Sequence, residues 1–178
     1  MVSKKKEYNN ESIKALKGAD RVRKRPAVIF GSDGLDGCQQ SIFEIISNSI
    51  DEAREGHGDR IIVTRYNDCS VEVEDFGRGI PVDYNENEKE YNWKLLFCEL
   101  YAGGKYDNDT GANYEFSLGL NGLGLCATQY ASEYMDVEVF RDGFRYELHF
   151  KRGNPVGKMI KEEAQKKTRH GTRIRWRP

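Results

Sequence analysis

The sequence predicts an α+β fold, a two-layer sandwich with helices over one face of a mostly antiparallel, mixed β-sheet. Three observations lead there. Residues 41–54 carry apolar side chains at helical spacing (Ile42, Ile45, Ile46, Ser49, Ala53) and stop at Gly56. Two pairs of short β-rich segments, 60–66 with 70–74 and 135–141 with 144–150, are separated by Asn67-Asp68 and Asp142-Gly143, both hairpin turn pairs. Two further helical stretches, 93–101 and 123–131, are bordered by glycines, and a last strand runs over 171–176.

In chain order, residues 1–12 read as a polar arm and 13–178 as one domain. Residues 12–17 predict a short helix ended by Gly18. The helix at 41–54 groups Glu44, Asn48, Asp51 and Glu52 near one face, at i, i+4, i+7 and i+8. Taken alone, that is an ordinary solvated stripe. Residues 83–92 are acidic and Asn-rich and read as a loop, as do 105–115, which hold few apolar residues. There are no internal repeats and no low-complexity tract.

The chain has 178 residues, enough for a real core, with 38% hydrophobic and 32% charged residues and a net charge of −1. That balance excludes a basic module that grips nucleic acid regardless of sequence. The basic runs at Lys4-Lys5-Lys6 and Lys166-Lys167-Thr168-Arg169 read as solvated surface, and a third lies at Arg21-Val22-Arg23-Lys24-Arg25. Cys38, Cys69, Cys98 and Cys126 form no C-x-x-C pair, which argues against zinc and suits a reducing cytoplasm. No signal peptide or membrane-length apolar run is present.

The chemistry-bearing residues fall in three blocks: Glu44 to Ala53, Glu74-Asp75-Phe76-Gly77-Arg78-Gly79-Ile80-Pro81, and Leu118-Gly119-Leu120-Asn121-Gly122-Leu123-Gly124. A carboxylate such as Glu44 beside a phosphate site can deprotonate an attacking water. Asn48, one turn on, offers a single neutral oxygen, which suffices for a Mg²⁺ that fills its shell with water and phosphate oxygens. Asp75, ionised, only accepts hydrogen bonds and so suits an exocyclic amine, although Asp before Gly is also a common turn former. Arg78 is placed to pair with Glu52. Glycines at 119, 122 and 124 let backbone N–H groups approach a phosphate at a helix N-terminus. The spacing is neither a Walker A nor a Rossmann fingerprint. Lys105 can reach such phosphates from its loop.

In this order the blocks resemble the GHKL ATPase superfamily (the Bergerat ATP-binding fold), and within it the B-type ATPase subunits of bacterial type IIA topoisomerases, gyrase and topoisomerase IV. Ile13 to Gly18, Val22 to Pro26, Ala102-Gly103-Gly104-Lys105-Tyr106-Asp107 and Gly171-Thr172 add to the likeness, which runs from Tyr8 to the C-terminus. The resemblance implies Glu44 as general base, Asn48 as Mg²⁺ ligand, Asp75 with Thr172 as adenine reader, and Asp51 and Gly77 beside the nucleotide. Gly79, Ile80 and Pro81 become the pocket wall. Lys105, Tyr114, Gly119, Leu120, Asn121, Gly122, Leu123 and Gly124 become the lid and phosphate cradle. Tyr8 becomes an arm residue contacting the partner subunit's nucleotide.

It further implies ATP and Mg²⁺ as ligands and ATP-driven homodimer closure of a gate that captures double-stranded DNA. An A-type cleavage subunit, susceptibility to small-molecule ATP-site inhibitors and a bacterial, nucleoid-associated cytoplasmic setting complete the expectation. No membrane role is expected. By the same likeness, transducer, toprim and cleavage regions lie beyond this piece, so the isolated chain is expected to bind ATP but hydrolyse it poorly. A dimerisation clamp with little catalysis, or a chaperone or mismatch-repair branch of the superfamily, are the rival readings.

Departures from the family pattern are also visible. Gln40 stands where a His supports the base, Phe76 follows the adenine Asp in place of Asp or Asn, and Leu118 and Asn121 alter the glycine loop. Aligning the second hairpin puts Glu147 where the family has an arginine at the pocket mouth, an arrangement expected to disfavour aminocoumarins.

Overall fold

The computed structural model describes residues 10, 15–101 and 123–178. Residues 15–17 are irregular, and the remainder of the helix expected at 12–17 lies outside the described residues. The first helix, α1 (Asp20–Arg23), instead follows Gly18, whose φ of +50° ends the preceding segment. Next come α2 (Pro26–Phe30), opened by its proline, and α3 (Leu35–Arg54).

α3 begins six residues earlier than its apolar spacing suggested. Its start is fixed locally: Ser32 Oγ accepts the Gly34 N–H at 3.0 Å, and a Cβ on Gly37 would sit 2.2 Å from the Ser32 carbonyl oxygen. Glu44 therefore lies in the body of α3 and not in its first turn.

The main sheet is built from β1 (Ile61–Arg65), β2 (Val71–Asp75), β5 (Tyr134–Arg141), β6 (Phe144–Lys151), β7 (Asn154–Pro155), β8 (Ile160–Glu163) and β9 (Gly171–Arg177). Its order is β1-β2-β9-β5-β6-β7, with β8 also on β6, and every ladder among the described residues is antiparallel. Residues expected to be a plain loop hold a small ladder, β3 (Tyr84–Asn85) with β4 (Glu90–Tyr91), clasped by an edge-on contact of Tyr84 and Tyr91. α4 (Asn92–Cys98) ends earlier than expected, since Glu99 is extended. α5 (Gly124–Ala131) follows. The Asp142-Gly143 hairpin has φ of +54° and +79°, the positive pair that a tight two-residue turn requires.

Alternation along the strands separates two faces. Val73, Ile174, Val137 and Leu148 align across the sheet, as do Val71, Trp176, Met135 and Phe150. These buried rows pack under Ile45 of α3, Phe97 of α4 and Leu125 of α5. Each such apolar side chain contributes about 1.5–3 kcal/mol when fully buried. The other face carries charge: Glu138 is bound by Arg145 at 2.6 Å and Arg173 at 2.9 Å.

A second cluster, Val22, Phe30, Cys126, Ala127 and Tyr130, fastens α1 and α2 to α5. Arg23 completes this joint by donating to the carbonyls of Tyr130, Ala131 and Ser132 at 2.8–3.1 Å, which satisfies the end of α5.

Candidate functional site

The core arrangement leaves a cavity of about 300 Å³ between α3 and the sheet. One wall is α3, through Ile45, Asn48, Ser49 and Glu52. The floor is Val73, Asp75, Thr172 and Ile174, and the rim runs from Arg78 to Pro81 and across to Arg141.

Asp75 organises this pocket. Its Oδ1 accepts the N–H of Gly77 at 3.0 Å and of Thr172 at 3.1 Å, and its Oδ2 accepts the Ser49 hydroxyl at 3.0 Å. One carboxylate thus ties together a turn, β9 and α3, and Oδ2 retains capacity for a further donor. Thr172 Oγ1 accepts the Ile80 N–H at 3.0 Å, which leaves its own proton to donate. Two glycines are required here. Gly79 has φ +82°, and a Cβ on it would lie 2.6 Å from the Phe140 carbonyl oxygen; Gly171 has φ +127° with the Asp75 carbonyl at 2.2 Å.

The Arg78–Glu52 pairing expected from the sequence is present and bidentate, at 2.7 and 2.9 Å, with Glu55 at 2.5 Å from the same guanidinium. Glu52 also accepts the Arg78 N–H at 2.8 Å, locking the glycine turn to α3. Chiefly through the Arg78 side-chain bond, the Glu52 carboxyl is held below its ordinary range, while burial opposes that shift.

Glu44 does not line the cavity. It lies one turn before Asn48, with Oε1 accepting Gln40 Nε2 at 2.9 Å and Oε2 against Gly124, where an added Cβ would sit 2.1 Å away. Asn48 does line the cavity, and its amide makes no hydrogen bond with the described residues. Among the described residues no cluster of three or more His, Cys, Asp or Glu side chains is placed to hold a metal. A Mg²⁺ held mainly by water and phosphate oxygens needs only one such side-chain ligand, and the Asn48 amide in the lining fits that need.

The other expected positions divide clearly. Gly79, Ile80, Pro81 and Thr172 line the cavity with Asp75; Gly77 supports it from behind through its N–H. Asp51, itself on α3, is buried at 6% exposure and is not part of the lining. Leu123 and Gly124 form the start of α5. Tyr8, Lys105, Tyr114, Leu118, Gly119, Leu120, Asn121 and Gly122 lie outside the described residues. Phe76 points its ring at the Arg60 guanidinium, 4.2 Å away, on a separate surface.

One expectation is corrected. Glu147 does not stand at the pocket mouth. It lies opposite Glu138 on the charged face of the sheet and pairs with Arg145. Alternation along β6 turns it away from the cavity. The arginine at the rim is Arg141, last residue of β5, which donates to the Gly79 carbonyl at 2.6 Å. Arg141 and Ser49 are the polar lining residues that sequence reasoning misses, beside the apolar Ile45, Val73 and Ile174. Ser49 falls within the apolar stripe of α3; its position one turn after Ile45, beside Asn48, is the available signal. Arg141 is marked by adjacency to the Asp142-Gly143 turn.

Fold and site together define a class: an α+β sandwich with a carboxylate-anchored pocket between its longest helix and its sheet. The chain belongs to the histidine kinase-, DNA gyrase B- and HSP90-like ATPase family, whose sequence profile matches residues 34–178. It is 43% identical over 171 residues to the DNA gyrase B protein of Thermotoga maritima, covering 96% of this chain and 26% of the relative. To the DNA topoisomerase 4 B protein of Staphylococcus aureus it is 36% identical over 178 residues, covering 99% and 26%.

Among solved structures, it matches the 43K ATPase domain of Thermus thermophilus gyrase B in complex with an aminocoumarin. The TM-score is 0.72 at 30% identity, over 90% of this chain and 38% of that one. The topoisomerase IV ATP-binding domain of Francisella tularensis, in complex with a small-molecule inhibitor, gives 0.72 at 32%, over 90% and 41%. The chain thus spans about a quarter of the length of the curated relatives it matches.

Proposed function

We propose that this chain is the ATP-binding module of a type II DNA topoisomerase subunit, and that the cavity under α3 takes the adenine. The observation that carries this is the Asp75 carboxylate, fixed by three donors with Oδ2 still able to accept from an exocyclic amine. A base presenting a carbonyl there would meet an acceptor. The Thr172 hydroxyl proton serves a ring nitrogen or a bridging water.

From the adenine end, α3 leads the phosphates past Asn48, where a bound Mg²⁺ would offset their charge. Glu44 then orients and deprotonates the attacking water. Lys105, Tyr114 and the glycines from 119 to 124 are assigned to the phosphates, and Tyr8 to the partner's nucleotide. Asp51, a buried residue of α3, is assigned a supporting role. In the whole protein this module would close as a homodimer gate on double-stranded DNA, with an A-type cleavage subunit, in the bacterial cytoplasm. Arg141, at the rim, supplies the cation that aminocoumarin-type ligands of the family use.

Calorimetric titration with a non-hydrolysable ATP analogue and Mg²⁺ tests the pocket: binding is expected, and Asp75→Asn is expected to abolish most of it. Equal binding by the variant would mean that the base is read elsewhere. Single-turnover hydrolysis in the full-length protein separates hydrolase from clamp. Loss of turnover in Glu44→Ala is the expected result, whereas turnover unchanged would refute the base.

A further inference from the structure

The glycine turn after β2 holds one peptide whose two polar atoms are both bound by side chains. The Arg78 N–H donates to Glu52 Oε1 at 2.8 Å, from the α3 side. The Gly77 carbonyl, at the other end of the same peptide, lies 2.5 Å from His170 Nδ1 in a half-buried setting. A carbonyl oxygen only accepts, so the imidazole carries its proton on Nδ1 and donates it there. His170 is delivered by the turn before β9. There the Arg169 N–H donates to the Lys166 carbonyl at 2.9 Å, and the Arg169 guanidinium caps the Phe140 ring at 3.8 Å.

Three successive residues thereby grip the turn. His170 holds the Gly77 carbonyl, Gly171 packs against the Asp75 carbonyl, and the Thr172 N–H donates to Asp75 Oδ1 at 3.1 Å. Glycine at 77 is imposed by Glu52, whose Cγ would lie 2.3 Å from an added Cβ. Without a Cβ, the peptide that follows is free to turn over unless its polar atoms are held. We propose that His170 is a positioning residue for adenine recognition: it keeps the Gly77–Arg78 peptide in one orientation, and with it the Gly77 N–H that aims the Asp75 carboxylate. This rests on the reading of the cavity as the adenine site. Glu52 cannot do the work alone. Its bonds to the Arg78 guanidinium, at 2.7 and 2.9 Å, survive a turned peptide, whereas the bond from His170 does not. His170 itself is not part of the cavity lining, and its ring is exposed on the outer side, so a carbonyl released by its loss is hydrated.

The test is calorimetric titration of this chain with a non-hydrolysable ATP analogue and Mg²⁺, beside thermal unfolding. His170→Ala and His170→Leu remove the donor, the second while keeping bulk. Both are expected to weaken the analogue roughly 3- to 10-fold, with Tm within about 2 °C of wild type. His170→Asn places its amide nitrogen where the imidazole has Nδ1, so it is expected to restore affinity to within about 2-fold of wild type. Nitrogen NMR of the free chain supplies a second readout: the neutral His170 ring is expected to carry its proton on Nδ1.

Wild-type affinity in His170→Ala and His170→Leu, with binding still lost in Asp75→Asn, overturns this inference alone. Affinity as weak in His170→Asn as in His170→Ala also overturns it, since the donor is then not what matters. A neutral ring protonated on Nε2 does so too, and a fall in Tm that accounts for the lost affinity marks a merely structural role. Binding that survives Asp75→Asn overturns the adenine reading, and this inference with it.

Discussion

The two ends of the candidate site are built differently. At the adenine end, Asp75, Ser49, Gly77, Thr172 and Ile80 close a hydrogen-bonded network across α3, the glycine turn and β9. At the other end, among the described residues, Glu44 is held by one amide from its own helix and by contact with one glycine. A network with members on three elements is made only when the whole fold is made, so it pre-organises recognition. A single intrahelical bond can be changed without disturbing the fold. Perturbing the first end should thus cost stability or affinity, and perturbing the second should cost rate.

Gly171→Ala is the sharpest way to break the adenine end. Its φ of +127° and the 2.2 Å approach to the Asp75 carbonyl leave no room for a side chain. The expected loss is about 3 kcal/mol, read as a fall of roughly 10 °C in Tm. Asp75→Asn comes next. Its oxygen can still accept from Gly77 and Thr172, but its NH₂ would face the Ser49 hydroxyl and the adenine amine. Calorimetry should show about 100-fold weaker analogue binding with little change in Tm.

Gly124→Ala carries the comparison to the other end. A Cβ there meets the Glu44 carboxylate, the far end of a flexible side chain, with Glu44 Cβ at 2.9 Å. A stability cost of about 1–2 kcal/mol is expected with a roughly 10-fold slower hydrolysis step, and a smaller loss of affinity, since Gly124 is also assigned to the phosphates. Ser49→Ala should weaken the analogue only about 5-fold, because the two backbone donors still hold Asp75; a loss as large as that of Asp75→Asn would mean that Ser49 touches the ligand directly.

Much of this is legible in the residues. Periodicity marks α3, and the turn pairs at Asn67-Asp68 and Asp142-Gly143 fix two hairpins, because turn chemistry is local. β8 is not legible: Ile160–Glu163 is exposed along its length, so no face is hidden and no alternation appears. The start of α3 escapes because Ser32 and Gly37 set it by a backbone contact that apolar spacing does not encode. In the site, Asp75 and Asn48 stand out by residue type. Arg141 does not, because which face a strand residue takes depends on register, and a misplaced register puts Glu147 in its stead. Ser49 looks like a small core residue, since a buried hydroxyl declares its partner only once β2 is brought under α3.

The smallest expected effect concerns the clamp that locks the glycine turn to α3. Arg78 binds Glu52 bidentately, yet the pair is 46% and 24% exposed, so Arg78→Ala should cost no more than about 1 kcal/mol at neutral pH. Its pH dependence is more telling than its size. Glu52 is held below its ordinary range in the folded chain, chiefly by the Arg78 side chain. The stabilisation is therefore complete above the unfolded carboxyl's titration and is lost as pH falls through the lowered folded value. Paired urea titrations of wild type and Arg78→Ala should differ at neutral pH and converge in acid. Convergence would place the clamp's contribution in the charge pair; a gap that persists in acid would place it in the packing of the Arg78 side chain over the turn, and the rim would then hold its shape independently of Glu52.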